Sequence, residues 1–560
     1  MAFSHPSIAS FNPPSTISPN KISETLIKTN NRTVLPCIPN ALNLKHSMDD
    51  VHIKHAKNLK EMKRVIFNQV VREDPMDGLV LVDNIQRLGM EYNFEDEIEA
   101  ALQRQFLMFN TQSSIDPSEH ELYEVALRFR LLRQGGHCVH ACVFNNLKDK
   151  KGKIRGAFCE DIKGLIGLYE TSHLSMEGED NLDEVGELSR LHLNDWLSRH
   201  HDFRSQARVV ESTLRHPFHK NLSRFMPRSF YSNNYQKGWI STALQELANM
   251  DSNIVKSIHL KEIFEVSRWW KDLGLARELR FARNQPLKWY MWPMACVTDP
   301  RFSEERIEIT KPISLVYIID DIFDVYETID ELTLLTDAVN RWDLQAAEKL
   351  PDYMKICFKA LYDITNEFAC KVYRKHGWNP IHTLRKSWAK LLNAFLVEAQ
   401  WFVSGHLPEA EEYLKNGIIS AGVHVALVHT FFILGEGINK ETVSLMDDIP
   451  GVISFTSTIL RLCDDLESAK EKQDGFDGSY LDCYMKEQQG VSAEDAKARV
   501  AHMISTAWKH LNKECLTSNP FPSSFTKICL NAARMVPLMY SYDNNSLSSL
   551  EEYVRSLLLQ

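Results

Sequence analysis

The chain has 560 residues, 44% hydrophobic and 25% charged, with a formal net charge of −10. That length can bury two or three cores, and the acidic balance carries no basic footprint of the kind a nucleic-acid partner requires. An acidic protein can still hold an anionic small molecule where metals or local arginines supply the positive charge.

Residues 1–48 are rich in Ser, Thr, Asn and Pro, and the one acid before Asp49 is Glu24. Lys21, Lys28, Arg32 and Lys45 give a weak positive bias. The composition resembles that of a plastid transit peptide; the competing reading is a plain disordered tail, since it cannot bury a core. From about residue 50 the apolar spacing turns helical, as in Leu122, Val125, Ala126, Phe129 and Leu132, and again in Ile263, Val266, Trp269 and Trp270. Breakers at Gly135-Gly136, Asp299-Pro300, Lys311-Pro312, Asn379-Pro380 and Asn519-Pro520 divide the pattern into separate helices. No alternating strand pattern intervenes. The expected fold class is all-α: an N-terminal helical domain over 49–252 and a C-terminal catalytic domain over 253–560.

His137, Cys138, His140 and Cys142 are metal-capable but match no standard zinc spacing, so ordinary packing is expected there. The eleven cysteines are scattered and odd in number, which points to reduced thiols. The most apolar stretch, Ile418 to Gly435, is interrupted by Ser420, His424, His429 and Thr430. It reads as a buried core helix containing both histidines, and not as a membrane span.

Asp320, Asp321 and Asp324 follow the apolar run Ile313 to Ile319. On a helix, Asp320 and Asp324 share a face while Asp321 points about 100° away. Carboxylates on a buried face repel one another and lose hydration, and a hard cation removes both costs. Magnesium takes oxygen ligands and often combines one or two carboxylates with substrate phosphates. A solvated acidic patch is the competing reading. Downstream, another apolar helical stretch runs into Arg461, Asp464 and Ser468, with Asp464 and Ser468 on one face and Arg461 about one turn earlier. It reads as a second wall of oxygen ligands with a phosphate-binding cation, or as an exposed helix laced with charge pairs.

With these two motifs in order, the chain resembles the plant terpene synthases. Supporting blocks are Arg87-Leu88-Gly89, Ala126 to Gln134, Asp161 to Leu165, Arg268-Trp269-Trp270 and Asp474 to Tyr480. The resemblance implies a class I terpenoid synthase α-bundle at the C-terminus and a relict α-barrel at the N-terminus. It also implies a prenyl diphosphate substrate and magnesium, or manganese in its place. The implied ligands are Asp320, Asp324, Asp464 and Ser468, with Asp321 as support and Arg283 and Arg461 on the diphosphate. Asp320, Asp324 and Arg461 would carry catalysis. The family's third ligand of the second motif falls on Lys472, so Glu471, one residue earlier and on the Asp464 face, is expected to stand in. A second Arg of the family's Arg-x-Arg pair is replaced by Gln285. Asp543 is a weaker candidate in the loop that caps the family's site. Trp289, Tyr290 and Trp292 are candidates for either the cavity wall or the core.

The first Trp is Trp196, so the tandem-Arg motif followed by Trp, found near the mature N-terminus of cyclising monoterpene synthases, is absent. The N-terminal domain also lacks the acid motif of protonation-initiated cyclases. Pro312-Ile313-Ser314 and Asp352 to Cys357 resemble the linalool and nerolidol synthases. That subfamily implies water capture at the tertiary carbon to an acyclic alcohol, from geranyl or farnesyl diphosphate. A chain-elongating prenyl synthase would need a second full aspartate motif. A non-catalytic interaction protein gives no reason for ligands and arginines on two helices.

Overall fold

The computed structural model describes residues 41–72, 75–111, 122–147, 160–200, 204–225, 239–325, 328–471, 478–540 and 549–558. Among the described residues every regular element is a helix and no strand occurs, as the spacing of apolar residues requires. The helix Ala41–Arg72 begins inside the expected leader, whose residues 1–40 lie outside the described residues.

The N-terminal helices, up to Arg204–Arg215, surround a core that includes Leu81, Ile85, Phe94, Phe129, Leu132 and Phe144. The arginines of the Ala126 to Gln134 block are structural ties. Arg130 Nη2 donates to Asp83 Oδ1 at 2.5 Å, and Arg133 Nη1 and Nη2 reach Glu179 at 2.5 and 2.7 Å. Arg87 pairs with both Asp83 and Glu170, at 3.0 and 2.5 Å. In the cysteine–histidine segment, His137 stacks on Phe106 with centroids 4.7 Å apart, and Cys138 and Cys142 are exposed.

Helix α1 (Trp239–Leu273) belongs to both halves. Its Leu244, Leu247 and Ala248 enter the first core, and its Ile263, Val266 and Trp270 enter the second. The second half is built from α2 (Pro286–Cys296), α3 (Ser303–Val325), α4 (Ile381–Ser404), α5 (Ala410–Ser420), α6 (Val423–Leu434), α7 (Gly451–Glu471), α8 (Tyr480–Glu487), α9 (Ala493–Leu516), α10 (Ser523–Tyr540) and α11 (Ser549–Leu558), among other helices. Helix α3 packs on α1, α2, α4 and α6; α7 packs on α5, α6, α8, α9 and α10. Helix α6 therefore touches both motif-bearing helices. The two halves are joined by Asn512 of α9, whose Nδ2 donates to the carbonyls of His173 and Ser175, while its Oδ1 meets His219 Nε2 at 2.8 Å.

Two sequence expectations change here. Lys311-Pro312 does not break a helix: α3 runs through Pro312 without interruption. Proline removes one backbone donor, but Ile309 to Ile322 is buried on every side, and tertiary packing outweighs that loss. The stretch Ile418 to Gly435 is two helices, not one. Gly422, at φ +69°, turns the chain between them, and a Cβ there would lie 2.6 Å from Val316 Cγ1. The segment Ala410–Leu434 is long and apolar enough to cross a membrane by composition, at mean hydropathy 1.9, but 83% of that apolar window is buried inside the bundle. His424 and His429 sit in the core as expected. His424 Nε2 meets the Ser387 carbonyl at 3.0 Å, His429 Nδ1 meets that of Val425 at 2.7 Å, and burial pushes both rings down to about 4.

A buried charge network fixes α1, α2 and α3 against one another. Arg306, fully buried, reaches Glu262 through Nε at 2.8 Å and Nη2 at 2.6 Å, and its Nη1 donates to the carbonyls of Val297 and Asp299. The Tyr290 hydroxyl donates to the same Glu262 at 2.5 Å. Tyr290 is thereby a core anchor.

Candidate active site

The first wall is the C-terminal part of α3. Asp320 is fully buried, Asp321 is nearly so, and Asp324, one turn on, opens to solvent. Arg283, in the loop before α2, ties the first two together. Its Nη2 donates to Asp320 Oδ2 at 2.5 Å, its Nε lies 2.6 Å from Asp321 Oδ1, and its backbone N–H donates to Asp321 Oδ2 at 2.6 Å. Burial pushes Asp321 up to about 6 against the opposing Arg283 charge. At the neighbouring position, Asn284 Oδ1 accepts from Trp270 Nε1 at 2.7 Å, which pins the loop to α1.

Tyr317 lies one turn before Asp320. The Arg283 guanidinium sits 4.9 Å over its ring, and Trp292 Nε1 donates to its hydroxyl at 3.0 Å. Trp289, fully buried, lies edge-on to Trp270 at 4.7 Å and 6.3 Å from the Tyr317 ring. Trp289, Trp292 and Tyr317 thus form one buried aromatic cluster, and Tyr290 is tied to Glu262 within the same core.

The second wall is α7. Asp464 and Asp465 are both buried but have different duties. Asp465 accepts from the Tyr413 hydroxyl at 2.9 Å and from the Tyr480 backbone N–H at 3.1 Å, and burial pushes it up to about 7. Asp464 bears instead on the Tyr317 phenol, which also feels Asp320. Ser468 is half-buried on α7. The Glu471 side chain, Lys472 and Asp543 lie outside the described residues.

Arg461 is 3% exposed. Its Nη2 donates to Ser420 Oγ at 3.0 Å, and it lies 3.8 Å from both Glu398 Oε1 and Asp465 Oδ1. In this structure the guanidinium is held by α4, α5 and α7 beside Asp465. Gly417 of α5 makes room for it, because a Cβ there would lie 3.1 Å from Arg461 Nε and 3.2 Å from its Cγ. Gly417→Ala should leave the melting temperature at or slightly above wild type, since Ala favours a helix. It should also raise KM for the diphosphate substrate by roughly three- to tenfold as Arg461 shifts. Steady-state kinetics and a thermal melt check this, and an unchanged KM would remove Arg461 from substrate binding.

Sequence reasoning missed Glu398. It is buried on α4, accepts from Ser420 Oγ at 2.5 Å and Asn416 Nδ2 at 3.3 Å, and acts electrostatically on both Arg461 and Asp324. The available signal was an acid at the helical spacing of a buried face, after Leu391, Leu392 and Phe395.

Asp320, Asp324, Asp464, Ser468 and Glu398 are all oxygen donors, and such a set suits a hard cation that keeps some positions for substrate phosphates. Among the described residues, no three acidic, histidine or cysteine side chains converge on a single point, and Asp320 is paired with Arg283. A cation here would rely on non-protein oxygens to complete its shell.

The terpene synthase metal-binding domain matches residues 271–510, and the terpene synthase N-terminal domain matches 33–214. The chain is 58% identical over 513 residues to neryl diphosphate diphosphatase, chloroplastic, of Glycine max, covering 91% of this chain and 96% of that one. It is 43% identical to the chloroplastic S-(+)-linalool synthase of Arabidopsis thaliana, covering 97% and 95%. Among solved structures, isoprene synthase from grey poplar leaves, in complex with three Mg2+ ions and dimethylallyl-S-thiolodiphosphate, aligns with a TM-score of 0.82 at 34% identity, covering 91% of this chain and 97% of that one. With both halves of the chain matched, the chain belongs to the terpene synthase family, as a lyase of two-domain, class I architecture acting on prenyl diphosphates.

Proposed function

We propose that the enzyme ionises geranyl diphosphate, and farnesyl diphosphate as an alternative, and lets water capture the cation at its tertiary carbon. The products are linalool and nerolidol respectively. What supports the reading is the Arg283 guanidinium, which ties Asp320 and Asp321 beside the Tyr317 ring, next to Trp289 and Trp292. It puts anion-handling and cation-tolerant surfaces side by side. Asp320 and Asp324 on one wall, and Asp464, Ser468 and Glu471 on the other, would hold magnesium, or manganese in its place. Arg283 and Arg461 would bind the diphosphate. When bound, the metal supplies positive charge to the departing diphosphate. The chain's own arginines neutralise the same charge, and the buried aromatic wall keeps bulk water from the cation. Residues 1–48 would act as a plastid transit peptide ahead of a helical domain over 49–252 and a catalytic domain over 253–560. The two chloroplastic relatives favour that address over the cytoplasm.

The test is incubation of the purified protein with geranyl, neryl or farnesyl diphosphate and magnesium, followed by identification of volatiles. An acyclic tertiary alcohol is expected, and a mainly cyclic product overturns the reading. A primary alcohol would favour a second one, water attack at the ionised carbon itself, which the neryl diphosphate diphosphatase relative recommends. Glu471→Gln and Ser468→Ala should each raise the magnesium concentration needed for half-maximal rate by about tenfold. If only Ser468→Ala did so, Glu471 would not be a ligand.

A further inference from the structure

The N-terminal half contains a cavity of about 40 Å³ that the catalytic reading leaves unused. It lies where the helices Pro75–Arg87, Leu122–Gln134, Ile162–Ser172 and Arg204–Arg215 approach one another. Asp83, Arg87, Arg130 and Glu170 form one part of its lining, and Asn84, Ser212 and Thr213 another.

The carboxylates of the first group are already engaged. Every carboxylate oxygen of Asp83 and Glu170 accepts from Arg87, and Asp83 accepts from Arg130 as well. Burial opposes the charge on Asp83, but Arg130 and Arg87 hold its carboxyl below the usual range, so it stays ionised. The arginines are less fully used. Arg87 engages Nε, Nη1 and Nη2, and Arg130 gives Nη1 to Gln134 and Nη2 to Asp83, while a guanidinium has more N–H groups than these bonds take. Lys163, whose ammonium lies 3.6 Å from the centre of the Tyr123 ring, adds another cation to the lining.

The second group has no partners. Ser212 is 8% exposed and Thr213 is 9% exposed. Neither hydroxyl makes a hydrogen bond among the described residues, and neither does the Asn84 side-chain amide. Buried polar groups are costly to leave unpaired, so hydroxyls placed on a cavity call for an occupant. With the carboxylates engaged, the lining offers mainly N–H and O–H donors. The cavity has room for roughly three water-sized groups, which admits a tetrahedral oxyanion and excludes a prenyl chain.

We infer that this cavity is a binding site for a small oxyanion of phosphate size, held by Ser212, Thr213 and Asn84 against Arg87 and Arg130. The site is separate from the aspartates of α3 and α7, and it stands whether or not the product is an acyclic alcohol. Its occupancy reaches the joint between the halves. The Arg87 and Arg130 guanidiniums stack on Phe218, 4.7 and 5.3 Å from its ring centre, and the next residue, His219, meets Asn512 of α9. An ion drawn to the two arginines therefore stabilises the whole chain and not the N-terminal helices alone.

The experiment follows thermal melts of the full chain, free of divalent metal, across a series of inorganic phosphate concentrations balanced with chloride to constant ionic strength. The melting temperature of the wild type should rise with phosphate and level off, as binding to the folded state requires. Ser212→Ala combined with Thr213→Val keeps the shape of both side chains and should melt as the wild type does without phosphate. It should need at least about tenfold more phosphate for half of the rise, the scale of hydrogen bonds lost to a charged group. Asn84→Leu should shift the dependence in the same direction. A wild-type melt that phosphate and chloride affect alike means that the cavity holds water alone, and it overturns the proposal. A phosphate dependence equal in the wild type and in both variants places the ion elsewhere, in the catalytic half or on the surface, and overturns it too. If the double variant does not fold, Asn84→Leu alone decides.

Discussion

Replacing Asp320 with Asn should lower kcat/KM for prenyl diphosphate by roughly 10²- to 10³-fold, on the scale of removing one preorganised charge from a desolvated site. Asp320 is fully buried and already contacts Arg283, so the fold around it is built for a negative charge at that point. Asn preserves shape and one acceptor oxygen but cannot neutralise a cation. Two consequences separate this loss from misfolding. The melting temperature should fall only modestly, because Arg283 keeps its contacts to Asp321 and to the Tyr317 carbonyl. The magnesium dependence should also weaken and move to higher concentration. Diphosphate release measured across a magnesium series provides both readouts. Turnover within threefold of wild type would remove Asp320 from the metal set.

The second large effect is on stability. Glu262→Gln should destabilise the catalytic half by about 3–5 kcal/mol, because it leaves the fully buried Arg306 guanidinium without its counter-charge. The same change weakens the anchor of Tyr290 and thus the seat of α2. Replacing the pair together, as Glu262→Leu with Arg306→Met, should recover much of the loss, since an apolar pair of similar volume avoids the unpaired charge. Denaturant unfolding of the single and double variants checks both expectations. A loss near zero in the single variant would mean that water or another group compensates Arg306.

How far the sequence reached can be followed residue by residue. The all-α class was legible because a period of three and four residues is a local property, written into each segment wherever it ends up. The aspartates on α3 and α7 were legible for the same reason: their spacing sets which of them share a face before any tertiary contact forms. Asp320 meets the Arg283 guanidinium, Asp321 accepts the Arg283 backbone N–H, and Asp465 accepts from the Tyr413 hydroxyl. Pro312 misled, because a proline's local cost is small beside the burial of the helix that contains it. The apolar stretch after Ile418 misled less. Its burial was readable, but its break at Gly422 depends on the close approach of Val316 from another helix.

By itself, then, the sequence determined the helices, the two acidic faces and the presence of Arg283 and Arg461. Only the tertiary structure decided which groups meet. Glu398 reaches Arg461 from a different helix, Tyr290 is claimed by Glu262, and Trp292 finds Tyr317. None of these pairs has a sequence signature, because each joins residues on separate helices. Their contacts are set by how the helices pack and not by the spacing along any one of them. The candidate metal-binding carboxylates could be named from the chain alone, whereas the groups packed around them required the fold.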